Sequence, residues 1–127
     1  MEEKLVDKIK LKNDLTLELY DKSRRVAGDR WLVLFVARMA VEVKAKYVND
    51  NPEVSLEAVQ GVLGEKVHYA LEKKSYFVDE SKKEAVFEKL KKEFLDISLG
   101  YLSGADFPFK LILRRYRESR KISRLSG

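Results

Sequence analysis

The sequence predicts an α+β domain in which an antiparallel β-meander comes first and helices follow. Two periodicities support this class. Apolar residues alternate with polar ones in the N-terminal third, as in strands, and they recur every three or four residues in the C-terminal half, as in helices. The two patterns follow one another instead of alternating, which argues against a parallel α/β sheet. We expect residues 1–127 to form a single domain, because that length suits one core.

Three antiparallel strands are predicted, over about residues 5–12, 15–26 and 30–47. The third is the clearest, because the chain is apolar at every position from Trp31 to Ala37 and rich in β-branched side chains beyond it. A strand that is apolar on both faces lies in the centre of a sheet or is covered on both sides. The meander therefore has a central strand with a second face to cover.

The pair Gly28-Asp29 predicts the turn between the second and third strands. A strict two-residue loop would set Leu19 opposite Arg38, whereas one extra residue sets Leu19 opposite Ala37 and keeps apolar side chains together. We therefore expect a three-residue loop or a β-bulge here, with Gly28 at positive φ.

Three helices are predicted to pack on the meander, over about residues 55–75, 81–102 and 108–122. Ser55 suits the N-cap of the first helix, and Ser81 with Glu84 matches a capping box for the second. The first helix carries an apolar stripe of Leu56, Val59, Leu63, Val67 and Leu71. The second carries a seam of Phe87, Leu90, Phe94, Ile97 and Tyr101. For the third, a strand through residues 109–113 is the alternative.

Two glycines, Gly61 and Gly64, fall inside the first predicted helix and weaken it by about 1 kcal/mol each. We interpret them as a bend or frayed turn, with close approach of another backbone as the alternative. The core is expected to contain Trp31, Val33, Phe35, Met39, Leu63, Val67, Leu90, Phe94 and Ile97.

Positive charge is concentrated in the basic C-terminal segment 110–127, which holds seven basic residues and one acid in a chain of net charge +5. On a helix, five of these cations fall at spacings of four and three and form one stripe: Lys110, Arg114, Arg117, Lys121 and Arg124. Arginine makes bidentate contacts with phosphate. The stripe is therefore a candidate site for nucleic acid or another polyanion. The alternatives are a solvated helix face with a frayed end, and ion pairs with the acids of residues 79–96, either within the chain or in a neighbouring subunit.

Catalytic and metal-binding signatures do not occur in the sequence. The chain has no cysteine, which excludes disulfides, thiolate metal sites and thiol catalysis. No serine lies in a nucleophile elbow, and no glycine-rich phosphate loop follows a strand. His68 and Glu72 have the spacing of two ligands on a helix, but nothing nearby supplies a third. We therefore assign no catalytic residue, metal or cofactor, and we favour a protein that is not an enzyme.

Three classes of function remain. The main expectation is a non-catalytic interaction module that self-associates, most simply as a homodimer, or binds a protein partner, because the central strand is apolar on both faces. The alternative is nucleic-acid or polyanion binding through the basic stripe. A further alternative is a small-ligand or enzymatic pocket between sheet and helices, lined by Phe87, Phe94 and Tyr101.

The expected location is the cytoplasm, without a membrane partner. The chain opens with charged residues and no apolar leader segment follows them. The longest apolar run is also too short to cross a bilayer.

Overall fold

The computed structural model describes residues 3–48 and 54–126, with side chains as far as residue 120. Over these residues the chain forms an antiparallel sheet of five strands and four helices, so the α+β class is confirmed. The strands are β1 (Lys4–Lys10), β2 (Thr16–Asp21), β3 (Arg24–Ala27), β4 (Arg30–Glu42) and β5 (Lys66–Asp79). The helices are α1 (Ala45–Val48), α2 (Leu56–Leu63), α3 (Lys83–Leu102) and α4 (Phe107–Ser126), with a 3₁₀ turn at Glu80–Lys82 before α3.

β4 is the central strand of the sheet. β2 and β3 lie end to end along one edge of β4, because Leu19–Ala37 and Arg25–Trp31 belong to the same antiparallel register. β5 pairs along the other edge of β4, and β1 pairs outside β2. The predicted strand 15–26 is thus divided into β2 and β3, and the predicted three-stranded meander is wrong in its strand count. The predicted strand 30–47 is also too long, because β4 ends at Glu42 and α1 begins at Ala45.

The predicted register of the central hairpin is confirmed. Gly28 and Asp29 form its turn, and Gly28 has a φ of 54°. Val26 is an extra residue in β3, a bulge that shifts the pairing by one position. This shift sets Leu19 opposite Ala37, so apolar side chains meet on one face of the sheet.

The predicted helix over residues 55–75 is wrong in its second half. Ser55 caps α2 as expected, accepting a hydrogen bond from the backbone N–H of Ala58 at 3.2 Å. The helix then ends at Gly64, whose φ of 80° most side chains avoid. Val67 and Leu71 fit helical spacing and strand alternation equally well, and in the structure they lie in β5. Gly64 therefore marks the end of the helix, whereas Gly61 lies inside it.

The other two helices lie close to their predicted ranges. The capping box at Ser81 does not form, because Asp79 accepts the Ser81 backbone N–H at 3.1 Å and caps the 3₁₀ turn instead. Pro108 lies in the first turn of α4. The strand alternative for residues 109–113 is wrong.

The helices cover one face of the sheet, and the core lies between them. Odd-numbered residues of β4 point to this face, and Phe35 contacts the rings of Phe87 and Phe94 at centroid distances of 5.8 and 5.3 Å. Even-numbered residues of β4 point to the opposite face, because side chains alternate along a strand. We call that second face the open face.

The predicted seam of α3 turns away from the core towards its C-terminal end. Ile97 is 76% exposed and Tyr101 is 50% exposed, whereas Leu102 is fully buried. At about 100° per residue, Ile97 lies about 60° to one side of Phe94 and the buried Leu102 about 80° to the other, so the buried side of α3 is centred away from Ile97. The prediction that Ile97 belongs to the core is therefore wrong. Val33, Phe35, Met39, Val67 and Phe94 are buried, and Trp31, Leu63 and Leu90 are partly buried.

Candidate functional site

The predicted basic stripe lies on α4. The N-terminal half of this helix packs on the body of the protein through Phe107, Leu111 and Ile112, which are buried. Three members of the stripe are exposed, namely Lys110, Arg114 and Arg117. The backbone of α4 continues through positions 121 and 124, but the side chains of Lys121 and Arg124 lie outside the described part of the chain.

The charge of the stripe is partly balanced by its own helix. The Lys110 ammonium lies 3.0 Å from the Asp106 carboxylate, one turn earlier. The hydrogen bond between them raises the pKa of Lys110 and lowers the pKa of Asp106. Arg115, on a different side of the helix, donates to the backbone carbonyl of His68 at 2.9 Å and ties α4 to β5. The cations of α4 therefore serve both to anchor the helix and to present positive charge.

A shallow groove of about 440 Å³ runs between the end of α3 and α4. Its lining residues are Tyr101, Lys110, Leu113, Arg114, Arg117 and Glu118. The Tyr101 ring meets Phe107 edge to face at a centroid distance of 5.2 Å and an interplanar angle of 79°. The groove thus joins the basic stripe to Tyr101, the last aromatic side chain of the predicted α3 seam.

A second candidate surface lies at the other end of the sheet. β4 is flanked there by two bulges, Val26 in β3 opposite the step from Arg30 to Trp31, and Tyr76-Phe77 in β5 opposite Leu32. Val26, Tyr76 and Phe77 are exposed, the last two by 66% and 72%. We call these four residues the bulge patch: Val26, Leu32, Tyr76 and Phe77.

Phe77 lies in a backbone conformation that bulky residues avoid, with a φ of 52°. Such a left-handed residue costs about 1–2 kcal/mol in a chain of L-amino acids. Two ion pairs tie the chain just beyond Phe77 to the neighbouring strands, Arg30 to Asp79 at 3.2 Å and Arg25 to Glu80 at 3.1 Å. Strain at an exposed aromatic residue that packs little of its own surface is typical of binding sites.

The middle of the open face carries less exposed apolar surface than the bulge patch does. Val36 lies opposite Tyr20 in β2 and is buried. The Arg38 guanidinium lies 4.9 Å from the centroid of the Tyr20 ring and pairs with Glu3 at 2.7 Å. Neighbouring side chains thus enclose the centre of this face.

Sequence reasoning missed the bulge patch because residues 64–75 were assigned to a helix. The signal available was the run Tyr76-Phe77-Val78, which breaks the alternation of β5 and indicates a bulge. The stripe and the patch are also far apart. His68 and Phe77 are separated by nine strand residues, or about 30 Å.

The aromatic residues proposed to line a single pocket do not share one. Phe87 borders a groove of about 620 Å³ beside Trp31. Phe94 is 1% exposed and packs in the core. Tyr101 lines the separate groove at α4.

His68 and Glu72 do not lie one turn apart on a helix, as two metal ligands would. Both lie in β5, about 13 Å apart along the strand. Within residues 3–48 and 54–126, no group of three metal-ligating side chains occurs. No helix of this described region is long and apolar enough to cross a membrane.

Comparison with known proteins adds no functional assignment. No protein-family model matches the chain, and no curated protein or solved structure shows significant similarity to it.

Proposed function

We propose that the protein is a non-catalytic interaction module that self-associates through the bulge patch. The observation that carries this proposal is the strained, 72% exposed ring of Phe77 next in the chain to the exposed ring of Tyr76, with the exposed Val26 across β4. Monomeric proteins seldom gather exposed apolar side chains in one place without a partner for them. A cytoplasmic location stays part of the proposal, since the chain has no cysteine that a disulfide would need.

The composition of the patch suits the centre of a protein interface. Aromatic side chains bury about 150–250 Å² each, so they supply most of the energy of a small contact. Charged residues beside the patch, such as Arg24 and Lys74, suit a polar rim around it. A twofold dimer is the commonest way for one surface to cover itself.

Paired substitutions test this proposal. We would replace Tyr76 with serine and Phe77 with asparagine, and measure the dissociation constant of the dimer by sedimentation equilibrium. The expected result is dimer weakening of about a hundredfold or more, because two interface anchors are lost. A matched control replaces Val62 and Ile97, which are also exposed apolar residues but lie on α2 and α3, and should leave association unchanged. Equal dissociation constants for the patch variant and the control variant would refute the proposal.

A second candidate function is polyanion binding through α4. The observation that favours it is the exposure of Lys110, Arg114 and Arg117 along one side of a continuous helix. Side chains of this kind fix a phosphate backbone without reading bases. Binding should therefore be independent of sequence and sensitive to salt.

A salt series tests this second function. Replacing Arg114 and Arg117 with glutamine should weaken binding to a labelled oligonucleotide and reduce the slope of log affinity against log salt by about 0.7–0.9 per lost contact. The control replaces Arg24 and Arg25, which removes the same charge near the opposite end of the sheet. Unchanged affinity and slope in the Arg114 and Arg117 variant would contradict this function.

A further inference from the structure

The groove between α3 and α4 combines positive charge with an exposed aromatic ring. Tyr101 is 50% exposed, and Ile97 lies one turn before it on the same side of α3. Lys110, Arg114 and Arg117 line the groove from α4. Proteins that hold single-stranded nucleic acid pair a cationic groove with aromatic side chains on which bases stack.

We infer that this groove binds single-stranded nucleic acid, with a base stacked on Tyr101 and phosphates held by Lys110, Arg114 and Arg117. The inference rests on the second function proposed above and names its ligand class. Along α4, Lys110 and Arg117 are about 10 Å apart, which is the length of about three stacked nucleotides at 3.4 Å each. A short stretch of strand therefore spans the three cations.

The Tyr101 ring is held in place before any ligand arrives. Phe107 supports the ring edge to face, and Phe107 is itself buried and packed against Tyr69 at a centroid distance of 5.9 Å. A ring held by a buried neighbour loses little side-chain freedom when a base stacks on it. This support distinguishes Tyr101 from an aromatic residue that is exposed on a mobile loop.

The groove favours a single strand over a duplex, because its positive charge is partly neutralised and base stacking must supply part of the affinity. Asp106 neutralises part of Lys110, and Glu118 also lines the groove, so phosphate contacts alone give limited affinity. Stacking adds an energy that a duplex cannot supply, because its bases are already stacked on one another. Ile97 and Leu113 extend the apolar surface on which an unpaired base can rest.

The test compares ligands and variants by fluorescence anisotropy. A labelled oligothymidine strand, a duplex of the same length, heparin and polyglutamate are titrated with the full chain. Tyr101→Leu keeps the apolar bulk against Phe107 but removes the stacking ring, and Tyr101→Phe keeps the ring. Circular dichroism and thermal melting confirm that both variants fold.

We expect the single strand to bind more tightly than the duplex, and Tyr101→Leu to weaken single-strand binding by at least about fivefold. Tyr101→Phe should stay within about twofold of the parent, and heparin binding should be equal in all three proteins. Equal affinity for strand and duplex, with no effect of Tyr101→Leu, would overturn the inference but leave polyanion binding standing. Polyglutamate binding as tight as that of the oligonucleotide would also overturn it and indicate an acidic protein partner. No binding to any of the four ligands at low salt would overturn both.

Discussion

Phe77 is the residue at which local conformational preference and the observed structure disagree most. Its left-handed backbone opposes a bulky side chain, and its ring contributes little to the core because it is exposed. Folding alone therefore gives no reason for phenylalanine at this position. An asparagine would suit the same backbone better, since it tolerates positive φ.

Replacing Phe77 with asparagine should raise the free energy of unfolding by about 1 kcal/mol, because backbone strain falls and little packing is lost. Urea denaturation at concentrations where the monomer dominates measures this effect without a contribution from association. A loss of more than about 1 kcal/mol would mean that the ring packs on its own chain and is not available to a partner.

Phe94 and Ile97 lie one turn apart on α3 and differ almost completely in exposure, at 1% and 76%. Phe94→Ala should cost about 3–5 kcal/mol, because it opens a cavity beside Phe35. Ile97→Ala should change stability by less than about 0.5 kcal/mol. Denaturant melts of both variants compare the two positions, and similar losses would show that the seam of α3 faces the core as the sequence first indicated.

At the scale of elements, two glycines in one short segment have opposite roles. A Cβ added at Gly61 or at Gly64 would meet nothing within 4 Å, so packing does not distinguish them. Gly61 has ordinary helical geometry inside α2, whereas Gly64 has positive φ and ends the helix. The difference between the two positions lies entirely in the backbone.

The effects of alanine at the two glycines should therefore have opposite signs. Gly61→Ala should stabilise the protein by about 1 kcal/mol, because alanine favours the helix. Gly64→Ala should destabilise it by about 1–3 kcal/mol, because its φ of 80° with ψ of −159° is a conformation that essentially only glycine adopts. Thermal or urea unfolding measures both. Stabilisation by Gly64→Ala would mean that α2 runs on into residues assigned to β5.

The junction between β5 and α3 depends on a carboxylate. Asp79 accepts hydrogen bonds from the hydroxyl and the backbone N–H of Ser81, and these bonds lower the pKa of Asp79 below its ordinary value of 3.8. Since the folded-state pKa is lower than the unfolded-state value, the stabilisation is complete above the unfolded value and is lost as the pH falls through the folded value. Acid should therefore weaken this junction.

Comparing the parent protein with Asp79→Asn isolates this contribution. As the pH falls from about 5 to about 2.5, the urea concentration at the midpoint of unfolding should fall further for the parent than for the variant. The variant has no carboxylate to protonate at this position. Asparagine still caps the turn, so the variant should fold. Parallel losses in the two proteins would show that Asp79 does not couple folding to pH.

The distance along the chain between paired strands determined which strands could be predicted from the sequence. The register of Leu19 against Ala37 was predictable, because the turn at Gly28 lies between the two strands and limits the choices. β5 was not, because Val67 and Leu71 satisfy both periods and its partner strand is far away in the chain. The stripe on α4 follows from local helix geometry. The bulge patch arises only when β3, β4 and β5 come together.

At the scale of the whole molecule, the sheet separates two surfaces. The bulge patch lies at the end of β4 near Gly28, and the α4 groove lies near the start of β5, about 30 Å along that strand. Contacts at that separation, with no shared neighbours, should contribute independently. A dimer formed through the bulge patch therefore leaves the α4 groove accessible to a second partner.

The mass of the unmodified protein in solution tests the central claim most directly. Size-exclusion chromatography with light scattering, over a series of protein concentrations into the micromolar range, should show a mass rising from 14.8 kDa towards about twice that value. Salt should change this rise little, because the patch is apolar. A mass of 14.8 kDa at every concentration would contradict self-association through the bulge patch.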